Sequence, residues 1–274
     1  TAGLTAQAVG ARDPQDGLLH GLRAMAVALV IGVLMIVLQG PLLWASTALM
    51  APEPAVAAAF ATYFGIRIWV APVSLLNYAL LGWFYGRAAA TTGMLLQMVM
   101  HGVNIVLSIF FVYGLGWGIA GVAFATVLGS LASCVVGLLL WARHFGGLRK
   151  LWARTHLAEL LDATALRRMF SLSRDLMIRS IALMGAYAYF AAQGSRMGAV
   201  PLAANAILLN FLMIGAFFLD GVAQAAEQLC GKAVGANWRP AFDRAYTLSF
   251  LWALVLAAAL ALFFLFGGGW LVDF

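Results

Sequence analysis

Charge is what this sequence has least of. Lys, Arg, Asp and Glu make up 9% of its 274 residues, against about 25% in a soluble globular protein. So few charged groups cannot cover a surface that faces water, which excludes an ordinary soluble domain. Cysteine is nearly absent too. Cys134 and Cys230 lie in separate apolar runs without metal-like spacing, so they are expected to be inert buried thiols that say nothing about redox compartment. The histidines, His20, His101, His144 and His156, are scattered, and no metal site is expected. No G-x-x-x-x-G-K-[S/T] run is present, so ATP is not the energy source within this chain. No nucleophile–base pair is recognisable either, and neither catalysis nor a cofactor is expected. The chain opens TAGLTAQAVG, without an initiator methionine or a basic leader, and is expected to begin partway through a longer protein.

What is there in abundance is apolar. Hydrophobic residues make up 64% of the chain, and they fall into runs at roughly 24–46, 57–86, 90–113, 117–142, 176–195, 202–231 and 245–266. A bilayer core of about 30 Å takes about 20 such residues as helix. The runs are long and unbroken, unlike the short alternating segments of a barrel. The expectation is an all-α, polytopic bundle of about seven complete spans, with residues 1–10 as the tail of an earlier one. The net charge of +6 does not point to nucleic acid, because the basic residues sit between apolar runs rather than along one stripe. Arg12 and Arg23, Arg87, the seven arginines and lysines of 143–175, and Lys232, Arg239 and Arg244 mark every second loop. Those loops are expected to be cytoplasmic.

The tetrapeptide AVGA occurs at residues 8–11 and again at 233–236, an offset of 225 (233 − 8). Six apolar runs separate the copies, and an even number returns the chain to the same face of the membrane. Two six-helix halves related by an axis along the membrane normal form a recurrent transporter plan. A complete protein is then expected to have about twelve spans, of which this chain holds the middle portion. The stretch GLRKLWARTHLAELLDATALRRMF becomes the connector between halves, either an interfacial helix or a solvated basic linker.

Ionisable groups inside a membrane are costly and mark functional candidates. In FFLDGVAQAAEQLCGK, Asp220, Gln224 and Glu227 are spaced to share one helix face. Asp220 precedes Lys232 by twelve residues, about 18 Å of helix and close to mid-bilayer. Desolvation there is expected to raise its pKa toward neutrality, as a proton carrier requires; the alternative is a structural acid, protonated or arginine-paired. Asn77, Asn104, Asn205 and Asn210 either bridge helices or line a cavity. Met98, with Met94, Met100, Phe110 and Phe111, either lines an adaptable apolar pocket or faces lipid. Arg67 is expected to snorkel to the outer interface, and Pro72 to kink its span. Gly121, Ala125, Gly129, Ser133 and Gly137 recur every four residues and are expected to form a close-packing helix face.

The segments IRIWVAPVSLLNYALLGWFYG, HGVNIVLSIFFVYGLGWGIAGVAFAT and AANAILLNFLMIGAFFLDGVAQAAEQLCGKAVGA resemble the MATE (multidrug and toxin extrusion) transporters of the DinF-like branch. That resemblance implies twelve helices in two pseudosymmetric six-helix lobes. It also implies export of bulky, amphiphilic, often cationic compounds in exchange for H⁺ or Na⁺. The chain would run from the end of the family's helix 2 to its helix 9, truncated at both ends. Residues 1–142 would be the N-lobe, 143–170 a cytoplasmic connector and 171–274 a partial C-lobe. Some related members bind a cation with an Asp on helix 1, an Asn and an Asp four residues apart on helix 5, and a Thr on helix 6. Asn104 and Thr126 match the Asn and the Thr; Ser108 stands at the second acid position. Asp220 and Glu227 match acids typical of the C-lobe pattern, and the cavity candidates are Gln224, Asn205, Asn210, Asn77 and Met98.

The expected setting is a bacterial-type inner membrane. The expected partners are membrane lipid, amphiphilic small molecules and further helices of a longer chain. Two alternatives stand beside the antiporter. One is a lipid-linked flippase, which is expected to have a more cationic central cavity than Arg67 and Arg179 supply. The other is a truncated membrane fragment without transport activity.

Overall fold

The computed structural model describes residues 1–50, 54–146, 157–160, 162–196 and 199–272, and every element among them is helical. In chain order they are α1 (Ala2–Gly10), α2 (Pro14–Val37), α3 (Gln39–Met50), α4 (Pro54–Arg67), a 3₁₀ turn (Ile68–Val70), α5 (Ala71–Gly86), α6 (Ala90–Ile109) with a π-helical end (Phe110–Gly114), α7 (Gly118–His144), α8 (Leu157–Leu160), α9 (Ala163–Arg196), α10 (Ala199–Gly235) and α11 (Arg239–Val272). The chain divides into two compact units, Thr1–Leu161 and Asp162–Phe274. Of the connector, Leu148, Leu151, Trp152 and Leu161 lie outside the described residues.

Among the described residues, six helical segments are long and apolar enough to cross a membrane: Pro14–Val37, Pro54–Gly86, Ala90–Gly114, Gly118–His144, Ile207–Gly235 and Arg239–Gly267. The seventh expected span, 176–195, lies within α9. That helix has 34 residues, about 51 Å at 1.5 Å per residue, so length does not exclude it. Arg179, Gln193 and two tyrosines dilute its apolar stretch. The outer surfaces are themselves apolar: Val30, Val37, Met98, Phe217 and Phe266 are all largely exposed. Lipid is the solvent that such a surface fits.

Because lipid tails are as apolar as leucine, packing rather than water exclusion holds the helices of the first unit together, and small residues at the contacts let backbones approach. On α2 the buried face runs Gly17, Gly21, Ala24, Ala28 and Gly32, one small residue per turn. Against it lies α5, whose Trp83 is 1% exposed and whose indole N–H donates to the Gly17 carbonyl at 3.0 Å. At the far end of this contact Gly32 meets Pro72 directly, its would-be Cβ 2.6 Å from the proline nitrogen. The span 54–86 is interrupted by the 3₁₀ turn just before Pro72, which has no N–H to offer the preceding turn.

α2 begins ten residues before the expected span. Asp13 caps it, accepting from Gln15 N and Asp16 N at 3.0 Å each, with Pro14 at the first helical position. Arg23, expected in a loop, is therefore helical and buried. Both AVGA copies end their helices in the same hydrogen-bond pattern. Asp13 N–H reaches Ala8 O and Arg12 N–H reaches Val9 O; Trp238 N–H reaches Ala233 O and Asn237 N–H reaches Val234 O. α5 ends likewise, through Ala89 N–H to Phe84 O and Ala88 N–H to Tyr85 O. This is the Schellman arrangement, which places one residue at positive φ. Here those residues are Arg12, Ala88 and Asn237, none of them glycine. Alanine has neither glycine's freedom nor asparagine's local hydrogen bonding in that region. Ala88→Gly is expected to stabilise the fold by about 1 kcal/mol, and Asn237→Gly by less. Thermal unfolding of the two variants checks the order, and a lower melting temperature for Ala88→Gly would overturn it.

Candidate functional site

The close contact between α6 and α7 is set by the small-residue stripe on α7. Gly121, Ala125, Gly129, Ser133 and Gly137 are all buried. A Cβ on Gly129 would lie 2.6 Å from the Met100 carbonyl and 3.3 Å from Asn104 N and Cβ, so only glycine lets α6 come this near. That approach carries Asn104 onto Thr126. The Asn104 Nδ2 donates to Thr126 Oγ1 at 2.8 Å, and the threonine hydroxyl donates onward to Val122 O at 2.9 Å. The hydroxyl thus acts as acceptor and donor at once, which fixes the amide's orientation. Asn104 Oδ1 makes no hydrogen bond among the described residues, which leaves a carbonyl oxygen open beside an oriented hydroxyl. Ser108, one turn along α6, is half-buried and brings no negative charge to the pair.

Two further polar contacts lie deeper along α7. Asn77 of α5 donates through Nδ2 to Ser130 O at 2.8 Å, and Ser133 Oγ donates to Leu96 O at 3.1 Å. Asn77 is 5% exposed, and its Oδ1 is buried without a partner among the described residues. Rather than lining an open cavity within this unit, Asn77 bridges two helices. Met98, in contrast, is 63% exposed on α6.

The second unit carries the acids. Asp220, Gln224 and Glu227 lie on α10 and are exposed, as is Asn210, while Asn205 is half-buried. The desolvation expected at Asp220 is not supplied by the packing of its own unit, because α9 and α11 leave that face of α10 uncovered. Asp220, Gln224, Asn205 and Asn210 make no side-chain hydrogen bonds with one another among the described residues. Within its own unit, each set of candidates thus differs: Asn104 and Thr126 are joined, and Asp220, Gln224, Asn205 and Asn210 are not joined to one another among the described residues. No group of three or more His, Cys, Asp or Glu suited to a metal ion occurs among the described residues.

One polar cluster escaped the sequence reading. At the arginine-bearing end of the first unit, Trp83 packs edge-on to Trp141 and His144 with the Arg87 guanidinium 4.9 Å from its ring centroid. Burial lowers the pKa of Arg87 from its ordinary value. His20 Nε2 lies 3.2 Å from Asp16 Oδ2 on α2, and Arg23, one turn further, is 6% exposed. The signals were present as the i,i+4 pairs Asp16/His20 and Trp83/Arg87, but both sat in stretches read as loop or loop edge.

Comparison with known proteins extends this picture. The MatE family model matches residues 176–274. DNA damage-inducible protein F of Escherichia coli (strain K12) is 32% identical over 271 residues, covering 94% of this chain and 58% of that protein. Protein DETOXIFICATION 43 of Arabidopsis thaliana is 27% identical over 167 residues, covering 61% of this chain and 30% of that protein. Among solved structures, MATE in the straight conformation superposes with a TM-score of 0.78 at 22% identity, over 97% of this chain and 59% of that one. The outward-facing conformation of a multidrug resistance MATE family transporter of the MOP superfamily gives 0.73 at 20% identity, over 98% and 59%. The chain spans less than two thirds of the length of each of these proteins.

Proposed function

We propose that the chain, which matches the MatE family model over residues 176–274 and DNA damage-inducible protein F at 32% identity, is part of a MATE-type secondary-active exporter, one that moves amphiphilic, often cationic organic compounds out across an inner membrane in exchange for H⁺ or Na⁺. The chain is an integral multi-pass membrane protein by its apolar helices; the coupling ion and the cargo belong to the proposal.

The observation that carries the reading is the Asn104–Thr126 pair. It sets an open carbonyl oxygen beside an oriented hydroxyl, inside a helix pair whose surroundings are apolar. Amide and hydroxyl oxygens are the ligands a hard cation takes. With Ser108 at the neighbouring position the pair has no charge of its own to offset that of a bound ion. A carboxylate elsewhere has to supply the ion-dependent charge, and Asp220 is the acid best placed by depth along its helix. Ion exchange drives conformational change only if the ion binds the two facing states with different affinity. A carboxylate that is covered in one state and open in the other has that property.

Asp220→Asn is expected to lower pH-gradient-driven export from proteoliposomes by at least about tenfold, equivalent to about 1.4 kcal/mol. The readout is the initial rate with a fluorescent organic cation. Undiminished, still pH-dependent export by this variant would remove Asp220 from the coupling step.

A further inference from the structure

Arg23 is an expensive residue in its position. It lies on α2, 6% exposed, and a buried guanidinium has to be compensated by partners. It finds one: Nη2 donates to the Glu159 carbonyl at 2.7 Å, across 136 residues of chain. Its Nε is buried with no hydrogen-bond partner among the described residues. An apolar side chain of the same length would fill this place without the desolvation cost, so packing alone does not account for an arginine.

The acceptor indicates what the contact does. Glu159 belongs to α8, the four-residue helix Leu157–Leu160 of the connector. A helix of that length leaves its carbonyls without intrahelical donors, and the guanidinium satisfies one of them. α9 begins directly afterwards, with its own cap: Asp162 Oδ1 accepts from Thr164 N at 3.0 Å, and Leu166 N–H reaches Asp162 O at 3.0 Å. The chain passes from one compact unit to the other at the same place.

We propose that Arg23 is a positioning residue that pins α8 to α2, holding this short helix against the first unit. The anchor concerns the first unit only. Its consequence for transport rests on the exporter reading above.

The test uses the whole protein in a background with Cys134→Ala and Cys230→Ala, spin-labelled at Ala26→Cys on α2 and Glu159→Cys on α8, both exposed positions. The α2–α8 distance distribution is expected to be narrow in the parent and at least about twice as broad in Arg23→Met, which keeps the apolar stem and removes the donors. Arg23→Lys, with its single ammonium, is expected to fall between them. An unchanged width in a monodisperse Arg23→Met protein overturns the anchor. In proteoliposomes Arg23→Met is expected to lower kcat about fivefold with KM unchanged, because it loosens a moving part and touches no cargo. A parent without export sinks the transporter reading while the distance measurement still decides the anchor. A raised KM with normal kcat overturns the positioning role.

Discussion

Gly32→Leu is expected to prevent recovery of folded protein. A Cβ at residue 32 would fall on the backbone of Pro72, against its Cα and 2.6 Å from its nitrogen. A side chain can rotate away from an intruding atom, but backbone can only move with its helix. α5 is not free to move, because Trp83 is locked between α2 and α7 by its hydrogen bond to Gly17 and its edge contact with Trp141. Overpacking a tight contact costs about 1–3 kcal/mol and occasionally more. Gly32→Ala alone is expected to cost about 2 kcal/mol, and leucine more than the fold can absorb. Gly65→Ala is the matched control. It sits within α4 with nothing inside 4 Å of its would-be Cβ, and relief of glycine's backbone entropy is expected to stabilise it by about 0.5–1 kcal/mol. Yield of monodisperse protein and thermal unfolding read both. A Gly32→Leu protein that melts with the parent would mean that α2 and α5 do not cross this closely.

The second large effect is expected at the Asn104–Thr126 pair. Thr126→Val keeps the shape and removes the hydroxyl that accepts from Asn104 and donates to Val122 O. The amide then loses its orientation, and an oxygen ligand disappears. Export driven by an ion gradient is expected to fall by at least about tenfold, or about 1.4 kcal/mol of lost coupling. Thr126→Ser, which retains the hydroxyl, is expected to keep most of the rate. Asn104→Leu should resemble Thr126→Val, and the double variant should be little worse than either, since groups that act as one unit are not additive. Fully additive losses would show that the two side chains act separately. Rates in all four variants that match the parent would remove the pair from the coupling machinery.

Much of the fold was legible in one dimension. Six of the seven apolar runs read from the sequence overlap segments long and apolar enough to cross a membrane, the first of them only over 24–37 because its helix ends at Val37 and a separate one begins at Gln39. The two AVGA segments end their helices with the same backbone hydrogen bonds, a closure that α5 shares. The four-residue stripe on α7 is the packing face that its periodicity implied. What was missed was missed for a physical reason. Hydropathy marks where a helix meets hydrocarbon, not where it begins, so α2 was read from 24 although its cap and proline stand at Asp13 and Pro14. The same blindness put Arg23 in a loop. At Asp220 the sequence shows depth along a helix but not neighbours, and within its own unit that face is exposed.

The sequence by itself determined that this is a helical membrane protein and roughly where its spans run. Those properties follow from a solvent that imposes a fixed apolar length and a satisfied backbone on each segment separately. Only the tertiary structure decided that Gly32 lies on Pro72, that Asn104 reaches Thr126, and that Arg23 reaches the carbonyl of Glu159. In lipid no hydrophobic drive pairs one apolar helix with another. Partner choice is left to the fit of small residues and single hydrogen bonds between segments 22 to 136 residues apart, and no local pattern of residues encodes a contact of that range.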